Sequence, residues 1–163
     1  MPSLAETSHE HHDRLIRHVE RLHALAEMVD VDTTFALRAG LDEESRFIEE
    51  QLLPHMQAIE TTLYAQLERL MGGRHSMDPM RQEHEELRRL IGALARYRAL
   101  VDADHLDPAE AMGLRRVLYR LHSILRVHLA EEELYLRVLE ENLSIEEQDR
   151  LARAIDHAAA ESL

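Results

Sequence analysis

The sequence predicts an all-α protein, an up-down-up-down antiparallel four-helix bundle followed by a short C-terminal helix. Three observations predict it. Only five glycines, four prolines and two phenylalanines stand among 163 residues that are rich in Leu, Ala, Glu and Arg, the composition of helix formers. Apolar residues recur at three- and four-residue spacing over long segments, the period of a helix with one buried face. The breaks between segments are short and carry helix start and stop residues, so successive helices fold back on one another. At this length, with 45% apolar residues, the chain can bury a real core and reads as one domain, residues 1–163. The bundle spans about 9–142 and the last helix about 145–160.

The first helix is expected from about His9 to Val29, with Leu15, Val19, Leu22, Leu25 and Ala26 on one face. "DVDTT" interrupts it. The second covers roughly Asp42 to Met71, with an earlier start near Thr33 if Gly40 is spanned. Pro54 falls inside it and should kink it, because proline lacks an N–H and clashes with the preceding turn. "GGRHS" ends that helix. Asp78 as N-cap and Pro79 as first helical residue open the third, which runs to about Leu100. Asp107, Pro108 and Glu110 open the fourth with a box-like pattern, and it runs to about Glu141. Ser144 with Glu147 forms a capping box for the final helix, Ile145 to about Ala160.

Charge and composition exclude several function classes. The net charge is −13, from 19 basic and 32 acidic residues, which argues against nucleic acid or anionic membrane as a partner. With no cysteine, disulfides, thiolate metal sites and thiol chemistry are excluded. No apolar run approaches the roughly 20 residues of a membrane span. The N-terminal stretch lacks a charged-then-apolar signal pattern, so a cytoplasmic location is the expectation.

Histidine is the residue in excess, with twelve in the chain. The chain also reads as duplicated. "EHHDRLIRHVERL" resembles "QEHEELRRLIGAL", each with a histidine followed by a leucine three residues on. "LLPHMQAIETTLYAQLERL" resembles "LRVHLAEEELYLRVLEENL", each with histidine, acid, then Leu-Tyr. His12 and His55 are 43 residues apart, and His84 and His128 are 44 apart. These four histidines lie on, or at the margin of, the apolar stripes of four different helices, so they converge on the bundle axis.

Gathering buried imidazoles is costly without partners, and a metal ion is one physical reason to do it. Glu132, four residues after His128, lies about 40° around the helix, so both can serve one centre. Glu133 lies about 140° away and needs a longer reach or a local bulge. Glu60 has the same five-residue offset from His55. Histidine and carboxylate from facing helices is how bundles build di-iron or di-manganese sites.

The stretches "EHH" (Glu10 to His12), "PHMQAIE" (Pro54 to Glu60), "QEH" (Gln82 to His84) and "HLAEEELYL" (His128 to Leu136) resemble the hemerythrin-like family, the HHE cation-binding domains. The resemblance spans about residues 9–142. It implies an up-down four-helix bundle holding a non-heme di-iron centre, with two irons bridged by oxo, hydroxo or carboxylate groups. Such a centre reacts with dioxygen, hydrogen peroxide or nitric oxide. Carried over by position, the metal ligands are His12, His55, His84 and His128, with Glu60 and Glu132 as carboxylates. The chain departs from the family at two places and leaves a third open. Ile59 stands where a glutamate is usual, and Arg88 where oxygen carriers have a second helix-three histidine, which weakens the case for simple reversible oxygen transport. Either Glu132 or Glu133 fills the helix-four role.

His11 is an alternative to His12. His18 and His122 each lie six residues from an expected ligand and are alternative ligands or outer partners, and Tyr64 and Tyr135 are possible hydrogen-bond donors to the centre. His9, His23, His75, His105 and His157 read as solvated surface residues. Manganese in place of iron, or a heme or single metal on fewer histidines, are the other cofactor readings. The functional alternatives are a catalase- or peroxidase-like activity, oxygen binding, and an iron- or oxygen-sensing module without turnover.

Overall fold

In the computed structural model, the described residues are 4–30, 34–104 and 106–161, with side chains described from residue 12 to 160 within them. All regular structure among them is helical. Helix α1 (Leu4–Met28) buries Leu15, Val19, Leu22, Leu25 and Ala26 on one side. Thr34 then opens α2 (Phe35–Phe47), its hydroxyl accepting from the Leu37 N–H at 3.1 Å. The earlier of the two expected starts is therefore the observed one. Gly40 does not break α2; a Cβ there would lie 2.4 Å from Leu25 Cδ2, so the glycine lets α1 and α2 approach closely.

Pro54 shapes the middle of the second arm. Ile48–Leu52 is a π-helical turn, and the Leu53 N–H bonds to the Ile48 carbonyl five residues back. The helix resumes as α3 (Leu53–Thr61) with the proline in its first turn. A proline has no N–H to give to an i−4 carbonyl, and the wide turn places the missing donor where the ladder is already loosened. A second interruption falls at Thr62 (φ −116°, ψ −68°), whose hydroxyl donates to the Ala58 carbonyl at 2.6 Å, and α4 (Leu63–Leu70) continues from it. The expected single second helix is thus an arm of four consecutive segments.

Gly72 and Gly73 turn the chain with φ of 58° and 74°, in the left-handed region that glycine tolerates. Helix α5 (Asp78–Asp102) corrects the expected cap: Met77 holds the N-cap position without a side-chain bond, and Asp78 is already helical. The Ser76 hydroxyl accepts the Asp78 N–H at 3.1 Å and so takes over the role expected of Asp78. Helix α6 (Pro108–Asn142) begins with the expected box, Asp107 and Glu110 exchanging two 2.8 Å bonds. Helix α7 (Ile145–Glu161) begins with the Ser144–Glu147 box.

Cross-helix contacts run in opposite chain directions where α1 meets α6 and where α1 and α5 meet the second arm. On α1 and α6, His12 lies by Glu132, Glu20 meets Arg126 and Glu27 meets Tyr119. On α1 and α2, Arg21 and His18 meet Glu43 and Glu44. On α5, Arg98 pairs with Asp42 of α2, His84 with Glu60 of α3, and Glu83 with His128 of α6. Two apolar clusters fill the bundle. The larger joins Leu15, Leu22, Leu41, Leu52, Leu87, Leu118 and Leu125 among others. The smaller joins Ile59, Leu63, Tyr64, Leu67, Met80, Leu136 and Leu139, and α7 closes over it with Leu151, Ala152 and Ile155. Between them in chain position lies a buried polar layer: His84 falls between Met80 and Leu87, and His128 and Glu132 between Leu125 and Leu136. Among the described residues no helix is long and apolar enough to cross a membrane.

Candidate metal centre

Glu132 is fully buried on the inner face of α6, and four helical arms each turn one histidine toward it. His55 Nε2 lies 3.0 Å from Oε2, and His12 Nε2 lies 3.5 Å from the same oxygen. His128 Nε2 lies 3.0 Å and His84 Nε2 3.8 Å from Oε1. One carboxylate is therefore divided between two pairs of imidazoles. His12, His55 and Glu132 form one group with mutually close donor atoms, and His84, His128 and Glu132 form a second, all of them buried.

The outer nitrogens explain why the inner ones point inward. His84 Nδ1–H donates to Glu60 Oε1 at 2.6 Å, and Arg88 donates to the same oxygen at 2.8 Å. His128 Nδ1–H donates to Glu83 Oε2 at 2.7 Å. With Nδ1 of both rings turned to a carboxylate, each directs Nε2 at the centre, and those two Nε2 atoms face each other at 2.8 Å. Two lone pairs so placed repel; a proton or a cation between the groups resolves the contact. The phenol of fully buried Tyr64 donates to Glu132 Oε1 at 3.1 Å and lies 3.4 Å from His84 Nε2.

Electrostatics agree with this geometry. Burial alone would raise the Glu132 carboxyl, but His55 beside it and hydrogen bonds from His12, His128 and His55 hold it well below the usual carboxylate range. Burial works to lower the His128 imidazole, yet Glu132 and Glu83 raise it above its ordinary value. Burial and the Glu132 charge push the Tyr64 phenol far up, so it remains a donor. Burial would raise Glu60, and His84 and Arg88 outweigh it and keep the group low. Anionic carboxylate and imidazole, without thiolate, suit iron, manganese or zinc rather than a soft cation, and neutral imidazoles oriented by carboxylates are the usual backing of metal-binding histidines.

The structure thus brings together His12, His55, His84, His128 and Glu132 of the expected set. It does not bring Glu60 into that group. Segment α3 is regular between His55 and Glu60, so a five-residue offset turns Glu60 about 140° away from His55, toward α5, where it meets the outer side of His84. Glu133 pairs with Arg137 at 2.8 Å on the surface side of α6, which leaves the helix-four place to Glu132. His18 lies away from the centre, bonded to buried Glu44 at 3.1 Å and stacked on Phe47 at 4.0 Å. His122 is turned to the α1–α6 seam, 3.6 Å from Glu20, and Tyr135 lies 3.4 Å from His75. The side chain of His11, and His105, lie outside the described residues. Glu83 was not singled out from the sequence. Its position beside His84 was visible, but its partner sits on another helix, and only the α5–α6 register reveals it.

A family model described as the hemerythrin HHE cation-binding domain matches residues 3–139. The chain belongs to this family. The match takes in all four inward histidines and Glu132, and ends before α7. Comparison with curated proteins and with solved structures gives no match.

Proposed function

We propose that this HHE-domain chain is a non-heme di-iron protein of a single domain, its arms running up, down, up and down, that binds or reacts with dioxygen, hydrogen peroxide or nitric oxide. The observation that carries the reading is the division of Glu132 between two histidine pairs. In this reading His12 and His55 would hold one ion and His84 and His128 the other, with Glu132 shared by both groups. Two bound irons would supply one-electron redox steps and open coordination positions for a small oxygen or nitrogen species.

The chain's own residues do the rest. Glu60 and Glu83 fix the tautomers of His84 and His128 so that Nε2 is the ligating atom. Tyr64 holds one oxygen of Glu132 and offers the centre a proton-bearing hydroxyl. The two apolar clusters on either side limit water. Two imidazoles and one carboxylate oxygen per ion is a sparse donor set, which favours reaction at the ions over storage, and turnover of hydrogen peroxide is the concrete activity expected. Protein produced with iron should be coloured by a charge-transfer band and consume peroxide, and His55→Ala and His128→Ala should each lose metal and colour. A folded chain that remains colourless and metal-free after iron loading contradicts the proposal.

One observation favours a second reading, a sensor without turnover. Helix α7 lies beyond the family match and packs on the cluster built around Ile59 and Leu63, in the arm that carries His55. Iron-dependent protection of α7 from proteolysis, with no peroxide consumption, would support it.

A further inference from the structure

The α1–α6 seam carries a second group of metal-binding side chains that the central site does not use. His122 of α6 has its Nε2 buried without a hydrogen-bond partner. Glu20 of α1 holds its Oε2 at 3.6 Å from that nitrogen, too far for a hydrogen bond. His23, one helical turn from Glu20, stands edge-on to His122 with ring centroids 5.0 Å apart. A buried imidazole nitrogen left unpaired is costly, and its distance from Glu20 has a meaning. Two donors bound to one zinc-like ion at about 2.0–2.2 Å, at a tetrahedral angle, lie about 3.4 Å from each other.

The neighbours hold the pair in this posture. Arg126 donates to Glu20 Oε1, which leaves Oε2 to face His122. Tyr119 donates to Glu27 and packs its ring at 5.3 Å against His23. As it stands His23 brings no nitrogen close to both other donors; it is exposed, and a turn of its side chain is needed to complete the set. We propose that His122, Glu20 and His23 form a second, solvent-facing site for a divalent transition-metal cation. Imidazole and carboxylate donors of this kind suit zinc, cobalt or ferrous iron. His122 precedes His128 by six residues on the same helix, about 9 Å along its axis, so the site lies on the seam that also carries His12, His128 and Glu132.

The site is independent of what fills the centre, and the test uses the full chain with its centre loaded with iron. Zinc(II) is added and the zinc bound per chain is measured by equilibrium dialysis, with iron counted in the same sample. The expected result is one further zinc per chain with iron unchanged. His122→Gln and Glu20→Gln should each weaken the zinc about tenfold or more without loss of helicity or iron. Absence of the further zinc, or a zinc retained at full affinity in both variants, overturns the proposal. A chain that takes up no iron at all would contradict the central reading instead, while the effect of His122→Gln on zinc would still decide this one.

Discussion

Glu60 and Glu132 show what one position on a helix is worth. Glu132 follows its histidine by four residues and shares its face; Glu60 follows by five and reaches the outer side of His84, held there with Arg88. Ile59 and Arg88 both bear on Glu60: one takes the inward place before it, the other pairs with it. Glu60 stands one residue beyond Ile59 and is held by His84 and Arg88 together, while Ile59 fills the apolar cluster beyond the centre. Glu60→Gln should leave the number of bound ions unchanged and weaken their binding about 10- to 100-fold, the range for a lost outer partner; a complete loss of metal, measured by elemental analysis, would return Glu60 to the coordinating set. The convergence of the four histidines was legible in the sequence because each lies on, or at the margin of, an apolar stripe. The place of Glu60 was not, because a carboxylate at a five-residue offset can be assigned only when the neighbouring helix is known. Glu83 was hidden for the same reason.

At the scale of elements, the π turn Ile48–Leu52 sets the register between α2 and His55. One residue inserted into a helix rotates everything beyond it by about 100°. Deleting the exposed Glu50 should close the wide turn into an ordinary α-helix and turn either α2 or His55 away from its partners. Far-UV circular dichroism should change little, while metal affinity falls at least about tenfold; unchanged affinity would mean that the turn does not aim His55. Pro54 announced an irregularity in the sequence but not its kind, since a kink and a widened turn both relieve a missing N–H. The capping boxes of α6 and α7 were fully legible, because each is a local exchange between residues three apart. The start of α5 was displaced by a competing local acceptor, Ser76.

For the whole molecule, the end of the bundle near the centre is tied down by Glu68, which accepts from the Met77 N–H at 3.1 Å and from Arg81 at 2.7 and 3.0 Å. Arg81, with the Met77 N–H, draws the Glu68 carboxyl down to about 2. A depressed carboxylate stabilises the fold above its unfolded value and loses that contribution as pH falls through the folded value. The urea midpoint of the native chain should therefore exceed that of Glu68→Gln at about pH 6, and the gap should close as pH falls from about 4.5 towards 2. A pH-independent gap would assign the clamp to packing rather than charge.

That one buried carboxylate joins two ions is tested by the count of iron per chain in the native protein and in Glu132→Ala. Two irons are expected in the native chain and none in the variant, with helicity kept. A single iron per chain, or two that survive the loss of Glu132, would contradict it.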